Sequence, residues 1–430
     1  MQLTFKQKIQ RAIIEHHFIK STFRYVFVTI PKKIHAKIVE RRNINKFVFI
    51  KPMIKRIQKE NPVENNKILF VTFRNTYDCN PRAICQEILD QNLPYELVQV
   101  VRKIPKSGTG VWPIGVKLVK RDSYDFYVEC SKAKIIIDNS INLASMYYEK
   151  KPDQVLIETW HGAIGMKRFD TASNKKWVKK ALREATVTDY CISNSKFETD
   201  LYKNTLWPNA KILEYGHPRN DMLFETDPEK LSLLKRQICK KYKIPTDRIL
   251  CLYAPTFRDD KDPSPYNIPY TQLIQALEQR FGGKWAILTR FHQRVKKQFK
   301  DIKFPKYVYN VSEFHDIQDL MAVSFVGITD YSSWICEYLL TGRPGFLFAT
   351  DAQEYLNNDR GLVYPLDSTP FPLAKNTKQL IDNIKAFDYD KFGFDKENFL
   401  KKYGCVDDGN ASKRTVEKIK EIIDAANKKQ

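Results

Sequence analysis

The sequence is poor in the features of secreted, zinc-binding and membrane-spanning proteins. Its eight cysteines are scattered and never form a C-x-x-C pair, which argues against a zinc site and predicts reduced, buried thiols in a cytoplasmic protein. The first residues contain no continuous apolar stretch of the kind found in signal peptides, so no secretory signal is expected. The longest early apolar run, residues 25–30, is far too short to cross a bilayer.

Acidic residues are also scarce relative to basic ones. The 430 residues include 72 Lys and Arg against 50 Asp and Glu, a net charge of +22. Residues 1–60 alone hold 15 Lys and Arg against 3 Glu, which accounts for +12 of that excess. Such a balance indicates an anionic polymer or an anionic membrane as partner and carries no information about the fold.

The first sixty residues combine this positive charge with regular apolar spacing. Phe5, Ile9, Ile13 and His17 recur every four positions, and lysines and arginines lie between them. A basic amphipathic segment of this kind suits the surface of an anionic membrane, so we predict that residues 1–60 associate with one. The alternative is a helix packed on the core with a basic outer face, and helical spacing alone does not distinguish the two.

The rest of the chain alternates short apolar runs with helical patterns. Apolar segments such as 68–73 and 249–253 are typical of buried strands, and their alternation with helices predicts an α/β fold with parallel sheets. The charged helical stretch 228–243 resembles a linker between two such series. We therefore predict an N-terminal Rossmann-like domain at 61–227 and a C-terminal one at 228–430. A ligand is expected between them, at the carboxyl ends of the strands.

The most informative segment is ITDYSS at residues 328–333. An apolar strand stops there at a polar turn, and a helical pattern follows. Hydroxyl groups and unpaired backbone N–H groups at a helix start can form a phosphate cradle. The alternative is a serine that caps an ordinary junction between a strand and a helix.

Two further strand ends carry histidine. In TWHG at 159–162, His161 follows a buried strand, where a rigidly held imidazole suits general-base catalysis, and Gly162 allows a ligand or another backbone to approach. In RFH at 290–292, Arg290 and His292 share one side of an extended segment and could clamp a diphosphate. A hydrogen-bonded core histidine and an isolated surface pair are the respective alternatives.

Two more strand ends carry mixed charges. In YGHPRND at 215–221, Arg219 could grip a phosphate, while Asn220 and Asp221 could equally cap the next helix. In APTFRDD at 254–260, the paired acids could bind a metal, but we favour their pairing with Arg258. Each signal is weak alone, yet all of them follow apolar strands, where the ligand-facing residues of α/β folds lie.

In this order, TWHG, YGHPRND, LYAPTFRDD, RFH and ITDYSS resemble the motifs of the CDP-glycerol glycerophosphotransferases of teichoic acid and capsule synthesis. The resemblance covers about residues 68–425. It implies a GT-B-like fold and a peripheral position on the cytoplasmic face of the membrane. It also implies transfer of a polyol phosphate from a CDP-polyol to a hydroxyl of a lipid-linked or polymeric acceptor, with release of CMP. Glycerol phosphate is the group that we expect to be transferred. We expect no nucleic acid partner, no metal site and no resident cofactor, and leave a divalent cation open.

The resemblance also assigns site residues. The two family histidines fall on His161 and His292, and for the reaction we predict that His161 is the base and that His292 stabilises the leaving phosphate. The proposed substrate-binding residues are Thr329, Ser332 and Ser333 at the donor diphosphate, with Arg290, Arg258, Arg219, Glu337, Gly162 and Lys167 around them. Glu337 could meet ribose hydroxyls, or be a solvated or salt-bridged helix residue. The family usually follows TWHG with a Pro-Leu-Lys-type segment; here AIGMKR at 163–168 keeps only Lys167, which leaves the acceptor open.

Three other functions remain as alternatives. A GT-B glycosyltransferase that uses a nucleotide sugar would share the cleft and the phosphate cradle. A CDP-ribitol transferase would share the whole reaction except the polyol. A non-catalytic basic protein that binds nucleic acid or a polyanionic polymer would need neither histidine. The motifs do not separate addition of one unit from polymerisation.

Overall fold

The protein consists of two α/β units, each built on a parallel sheet. The computed structural model describes residues 50–105, 112–143, 148–162, 175–256, 266–292, 303–352, 355 and 363–428. Residues 1–49, which make up most of the predicted membrane-associating segment, lie outside this part of the chain. The predicted fold class, two Rossmann-like domains with a cleft between them, is confirmed.

The N-terminal sheet has seven parallel strands in the order β3-β2-β1-β4-β5-β6-β7. Apolar side chains fill both faces of its central strands, as expected for a parallel sheet covered by helices. The strands are β1 Glu64–Val71, β2 Glu96–Val101, β3 Val116–Lys120, β4 Ala133–Asp138, β5 Val155–Glu158, β6 Tyr190–Ser193 and β7 Lys211–Glu214.

The C-terminal sheet repeats the same winding with six parallel strands in the order β10-β9-β8-β11-β12-β13. Its strands are β8 Ile249–Tyr253, β9 Trp285–Thr289, β10 Val308–Asn310, β11 Val326–Thr329, β12 Gly345–Phe348 and β13 Leu373–Ala374. In both sheets the strand order reverses beside the first strand, between β1 and β4 and between β8 and β11. Loops that leave a sheet at such a point diverge and open a crevice, so the topology places a ligand site at these two strand ends.

Several of the helices begin where a short polar side chain caps them. Ser123, Ser195, Asp227, Asn376 and Asp388 each accept a hydrogen bond from a backbone N–H of the first turn. The helices are α1 50–60, α2 Cys79–Asp90, α3 Tyr124–Lys132, α4 Lys175–Ala185, α5 Lys196–Asn204, α6 Pro228–Tyr242, α7 Tyr270–Phe281, α8 Ile317–Val323, α9 Trp334–Tyr338, α10 Thr377–Lys385, α11 Tyr389–Tyr403 and α12 Ala411–Asn427. None of these described helices is long and apolar enough to span a bilayer.

Two segments predicted to be peripheral belong to the cores. Helix α1, at the end of the basic segment 1–60, buries Ile50, Ile54 and Ile57 against β1 and α3 residues. The stretch predicted to be a linker is helix α6, which buries Ile238 and Cys239 in the C-terminal core. All eight cysteines lie in the described part of the chain and none of them forms a disulfide.

The last helix, α12, returns to the N-terminal domain. Val416, Ile419 and Ile423 are buried in the same cluster as Ile68 of β1 and Ile84 of α2. The carboxylate of Asp221 accepts hydrogen bonds from the first two N–H groups of α12, at 2.9 Å and 2.7 Å. The sequence pattern predicts an apolar face on this helix, but only the tertiary structure shows which sheet that face covers.

We predict that Ile419→Ala lowers the free energy of unfolding by about 2–5 kcal/mol, because it leaves a cavity between α12 and the N-terminal sheet. The measurement is chemical denaturation followed by circular dichroism. The matched control is Glu417→Ala on the exposed face of α12, which should change stability by about 0.5 kcal/mol or less. Equal effects of the two substitutions would contradict the packing described for α12.

Candidate active site

The cleft between the domains holds a cavity of about 490 Å³ at the carboxyl ends of both sheets. Loops after β1, β4 and β5 form one wall, and loops after β8, β9 and β11 form the other. The cavity is lined by Phe73, Arg74, Asp78, Cys79, Asn139, Trp160, His161, Gly162, Glu198, Leu201, Arg219, Ala254, Pro255, Thr256, Arg290, Phe291, His292, His315, Asp316, Ile317, Gln318, Ser332, Ser333, Trp334 and Glu337.

His161 is held in one tautomer on the N-terminal wall. Its Nδ1–H donates to the backbone carbonyl of Asn139 at 2.6 Å, since a carbonyl oxygen can only accept. The ring stacks parallel to Phe73, with 5.5 Å between centroids, and lies 4.4 Å from the Trp160 ring. Nε2 is therefore the nitrogen with the available lone pair, and the described residues offer it no hydrogen-bond partner.

The surroundings of His161 keep the imidazole neutral. Burial lowers its pKa to about 4, and the positive charges of Arg219 and Arg74 act in the same direction. The hydrogen bond to the Asn139 carbonyl opposes these effects but does not outweigh them. A neutral imidazole with a fixed Nδ1–H presents Nε2 as a proton acceptor.

The C-terminal wall carries the serines of the ITDYSS segment. Ser332 and Ser333 line the cavity, and the Ser333 side chain does not cap helix α9. Thr329 is fully buried instead, and its hydroxyl donates to the Ala254 carbonyl at 2.8 Å. The structure therefore brings two of the three predicted diphosphate-binding hydroxyls to the cavity. The following helix is also shorter than its sequence pattern indicates, since α9 spans five residues before a 3-10 turn at Leu339–Thr341.

Arg290 and His292 follow β9 on the same wall and both line the cavity. Within the described part of the chain, the Arg290 guanidinium makes two long bonds, each 3.4 Å, to the carbonyls of Phe314 and His315. Its Nε is buried without a partner, and among the described residues no carboxylate lies within salt-bridge distance of it. A partly buried guanidinium with a donor that no described residue engages is suited to bind an anion.

Arg219 and Glu337, both predicted to bind substrate, bind each other across the cleft. Arg219 Nη2 lies 2.6 Å from Glu337 Oε1, and Nη1 donates to the His161 carbonyl at 2.9 Å. The second Glu337 oxygen accepts from Gln318 at 2.7 Å. Of the alternatives for Glu337, the structure has the salt-bridged helix residue. In this arrangement both residues position the cleft walls, and direct contact of either with substrate stays a prediction.

The YGHPRND segment contacts the residues that lead into the last helix, α12. Buried His217 pairs with Glu198 at 2.9 Å, and its backbone N–H donates to Asp407 at 2.7 Å. Gly216 has a φ of +85°, and a Cβ there would lie 2.8 Å from an Asp407 oxygen, so glycine is required at this close approach. Asp221 does cap a helix, but it is the last helix of the chain rather than the next one.

A second ionic contact joins the domains beside the cavity. Arg82 of α2 lies 3.0 Å from both Asp316 and Asp319 of the C-terminal domain, and Asp316 also accepts from the first N–H of α2. Burial and the charge of Asp316 raise the pKa values of Asp78 and Asp319 to about 6. The charges of Asp78 and Asp316 also act on Arg290, so this acidic rim adjoins the Arg290 guanidinium.

Several lining residues were not predicted from the sequence, notably Phe73, Arg74, Asn139, His315 and Asp316. Phe73 and Asn139 follow β1 and β4, the strands at the reversal of strand order. Ligand-facing residues of α/β folds follow such strands, so knowledge of the strand order would have identified both of them from the sequence. Of the other predicted substrate-binding residues, Gly162 lines the cavity. Arg258 and Lys167 lie outside the described residues.

Known proteins match the chain over most of its length. The family model described as CDP-glycerol:poly(glycerophosphate) glycerophosphotransferase matches residues 53–421. A teichoic acid poly(glycerol phosphate) polymerase of Bacillus subtilis (strain 168) is 26% identical over 96% of this chain and 57% of its own length. A polymerase of the same name from Staphylococcus epidermidis is 29% identical over 82% of this chain and 50% of its own length. The chain thus spans little more than half of these two relatives.

The fold also resembles that of a solved structure. A variant of the wall teichoic acid polymerase TagF soaked with CDPG superposes with a TM-score of 0.75 at 25% identity, over 93% of this chain and 100% of that chain. The resemblance inferred from the five motifs is confirmed by the match over 53–421, which includes every one of them. The chain therefore belongs to the CDP-glycerol:poly(glycerophosphate) glycerophosphotransferase family.

Proposed function

We propose that this protein transfers glycerol phosphate from CDP-glycerol to a hydroxyl group of a lipid-linked or polymeric acceptor in teichoic acid synthesis, and releases CMP. The observation that carries the proposal is the pairing across one cavity of a neutral, tautomer-fixed His161 with the anion-suited group of Arg290, Ser332 and Ser333. Family membership and the CDPG soaked into the TagF variant support the choice of donor.

The acceptor hydroxyl attacks the phosphorus that carries the glycerol. His161 Nε2 takes the hydroxyl proton as the new phosphorus–oxygen bond forms. The bond between that phosphorus and the bridging oxygen breaks, and CMP leaves with the electron pair on its phosphate. Because Nδ1–H stays bonded to the Asn139 carbonyl, the imidazolium that forms is stabilised and cannot turn away.

The C-terminal wall stabilises the charge on the donor. Ser332 and Ser333 donate hydrogen bonds to the diphosphate, and Arg290 neutralises the charge that develops on the departing phosphate. His292, two residues after Arg290, supplies a further donor to the same phosphate. Phosphoryl transfer depends mainly on positioning and charge neutralisation, so a cleft with these groups suffices for the reaction.

The peripheral membrane position is also part of the proposal. The segment 1–49 keeps most of the positive charge of residues 1–60, and helix α1 after it is anchored in the N-terminal core. A basic segment tethered in this way would hold the cleft near an anionic membrane surface, where a lipid-linked acceptor is located.

We predict that the purified protein releases CMP from CDP-glycerol in the presence of a glycerol phosphate-primed lipid acceptor. CDP-ribitol and UDP-sugars in the same assay test the two alternative donors. His161→Ala and His292→Ala should each lower turnover by about 10²–10⁴-fold, the usual contribution of a general acid or base, without lowering the melting temperature. Sugar transfer, or polyanion binding that survives both substitutions with no CMP released, would overturn the proposal.

The mechanism also predicts how activity depends on pH. His161 must be neutral to act as base, and its pKa of about 4 places the acid limb of kcat/KM, which reports the free enzyme, near that pH. A bound diphosphate favours the imidazolium and raises the pKa, so the acid limb of kcat should lie at higher pH than that of kcat/KM. Asp78→Asn removes the nearby carboxyl that titrates at about 6 and should leave both limbs in place. A kcat limb at or below the kcat/KM limb would contradict the role of His161.

Removal of residues 1–49 should abolish sedimentation with vesicles that contain phosphatidylglycerol, while turnover of a soluble acceptor analogue is retained. The truncation leaves α1 intact because Ile50, Ile54 and Ile57 belong to the core. Binding of the full chain should weaken at high salt and on neutral vesicles, since screening removes an electrostatic attraction. A truncated protein that still sediments completely would place the membrane contact elsewhere.

A further inference from the structure

We propose that Glu158 is a positioning residue for the catalytic base: its buried carboxyl group joins the two loops that together orient His161. The inference rests on the proposed role of His161. Glu158 is the last residue of β5 and does not line the cavity, so it acts through other residues rather than on the substrate.

One carboxyl group bonds both loops. Glu158 Oε1 accepts from the backbone N–H of Trp160 at 2.7 Å, and Oε2 accepts from the backbone N–H of Ile141 at 3.1 Å. Trp160 immediately precedes His161, and Ile141 lies two residues after Asn139, whose carbonyl accepts the His161 Nδ1–H. Glu158 thus fixes both the donor and the acceptor of the hydrogen bond that sets the imidazole tautomer.

The two residues bonded by Glu158 are also the two strained residues of these loops. Ile141 has a φ of +53° and Trp160 a φ of +51°, in the left-handed region that β-branched and bulky side chains avoid. Such conformations persist only where the surroundings enforce them. Here the enforcing contact on each N–H is an oxygen of the same side chain, so loss of Glu158 removes the restraint on both strained residues at once.

The rest of the 139–143 loop is held by a second carboxyl group. Asp138 accepts from the backbone N–H groups of Ser140, Asn142 and Leu143 and from the Asn142 side chain. Glu158 is fully buried, so water cannot replace its two hydrogen bonds. Burial and the neighbouring Asp138 raise the pKa of Glu158 well above its usual range, while backbone N–H bonds, including those from Ile141 and Trp160, oppose the shift.

The test is Glu158→Gln in the full-length protein. The amide nitrogen cannot accept a hydrogen bond, so one of the two loops is released while size and shape are kept. We expect kcat to fall by about 10- to 100-fold, the scale of a misplaced catalytic group, with the KM for CDP-glycerol within about twofold of wild type. The acid limb of kcat/KM should move up from about pH 4, because a loosened His161 ring gains contact with water and its pKa returns toward 6.5.

The matched control is Glu129→Gln. Glu129 is a buried carboxylate of the same domain, bonded to Lys67 and Lys117 at the opposite end of the sheet. It should lower the melting temperature while kcat and the acid limb stay as in wild type. A second readout is the proton resonance of the 2.6 Å Nδ1–H bond of His161, expected downfield in wild type and Glu129→Gln and lost in Glu158→Gln.

Two outcomes are decisive. If Glu158→Gln lowers only the melting temperature and keeps kcat, the pH limb and the Nδ1 proton signal, Glu158 is a structural residue and the inference is overturned. If His161→Ala itself keeps near-normal turnover, the proposed function loses its base, which is a separate failure. If the Gln variant does not fold, Glu158→Asp is used for the same measurements. It keeps the carboxyl group, but its shorter side chain cannot reach both loops.

Discussion

The contact on which the active-site geometry depends is the one that Arg219 makes across the cleft. Its guanidinium group bonds the backbone carbonyl of His161 on one side and the carboxylate of Glu337 on the other. His161 belongs to the N-terminal wall, and Glu337 lies in the short helix that follows Ser332 and Ser333. The distance between His161 and the two serines of the opposite wall is therefore set through one buried ion pair. A buried ion pair adds little net stability because desolvation offsets its attraction, but loss of one partner costs about 3–5 kcal/mol. The contribution of this ion pair is to fix the relative position of the two cleft walls.

Other contacts reinforce the same relative position of the domains. Arg82 pairs with Asp316 and Asp319 on the rim of the cavity. The last helix leaves the C-terminal domain and packs against the N-terminal sheet, where Asp221 of the PRND turn caps its first turn. Uncapped N–H groups at a buried helix end would be costly, so the turn and the helix are mutually dependent. The two walls of the cleft are therefore held by polar contacts beside the cavity and by the apolar packing of the last helix against the N-terminal sheet.

Much of the fold follows from local sequence. The apolar run 249–253 is a strand, and the run 68–73 is one as far as Val71, after which Phe73 starts a 3-10 turn. The alternation of such strands with helices specifies two parallel sheets because each strand must be buried on both faces. The histidines at 161 and 292 and the serines at 332 and 333 reach the cavity as predicted, since the ends of parallel strands meet at one edge of a sheet. The predictions were less accurate for Thr329, whose hydroxyl bonds a neighbouring strand end. The segment 228–243, predicted to be a charged helical linker, is a helix that also packs on the C-terminal core through Ile238 and Cys239.

The sequence by itself determined the order of strands and helices, the residues at the strand ends and the family of the chain. Those properties depend on apolar periodicity and on short motifs, which are local. Only the tertiary structure decided which charged groups are engaged and which remain available. Arg219 and Glu337 are 118 positions apart and pair, while no described residue engages the Nε donor of Arg290 beside the cavity. Pairing of this kind depends on the packing of two domains against each other, and no spacing within either motif encodes it.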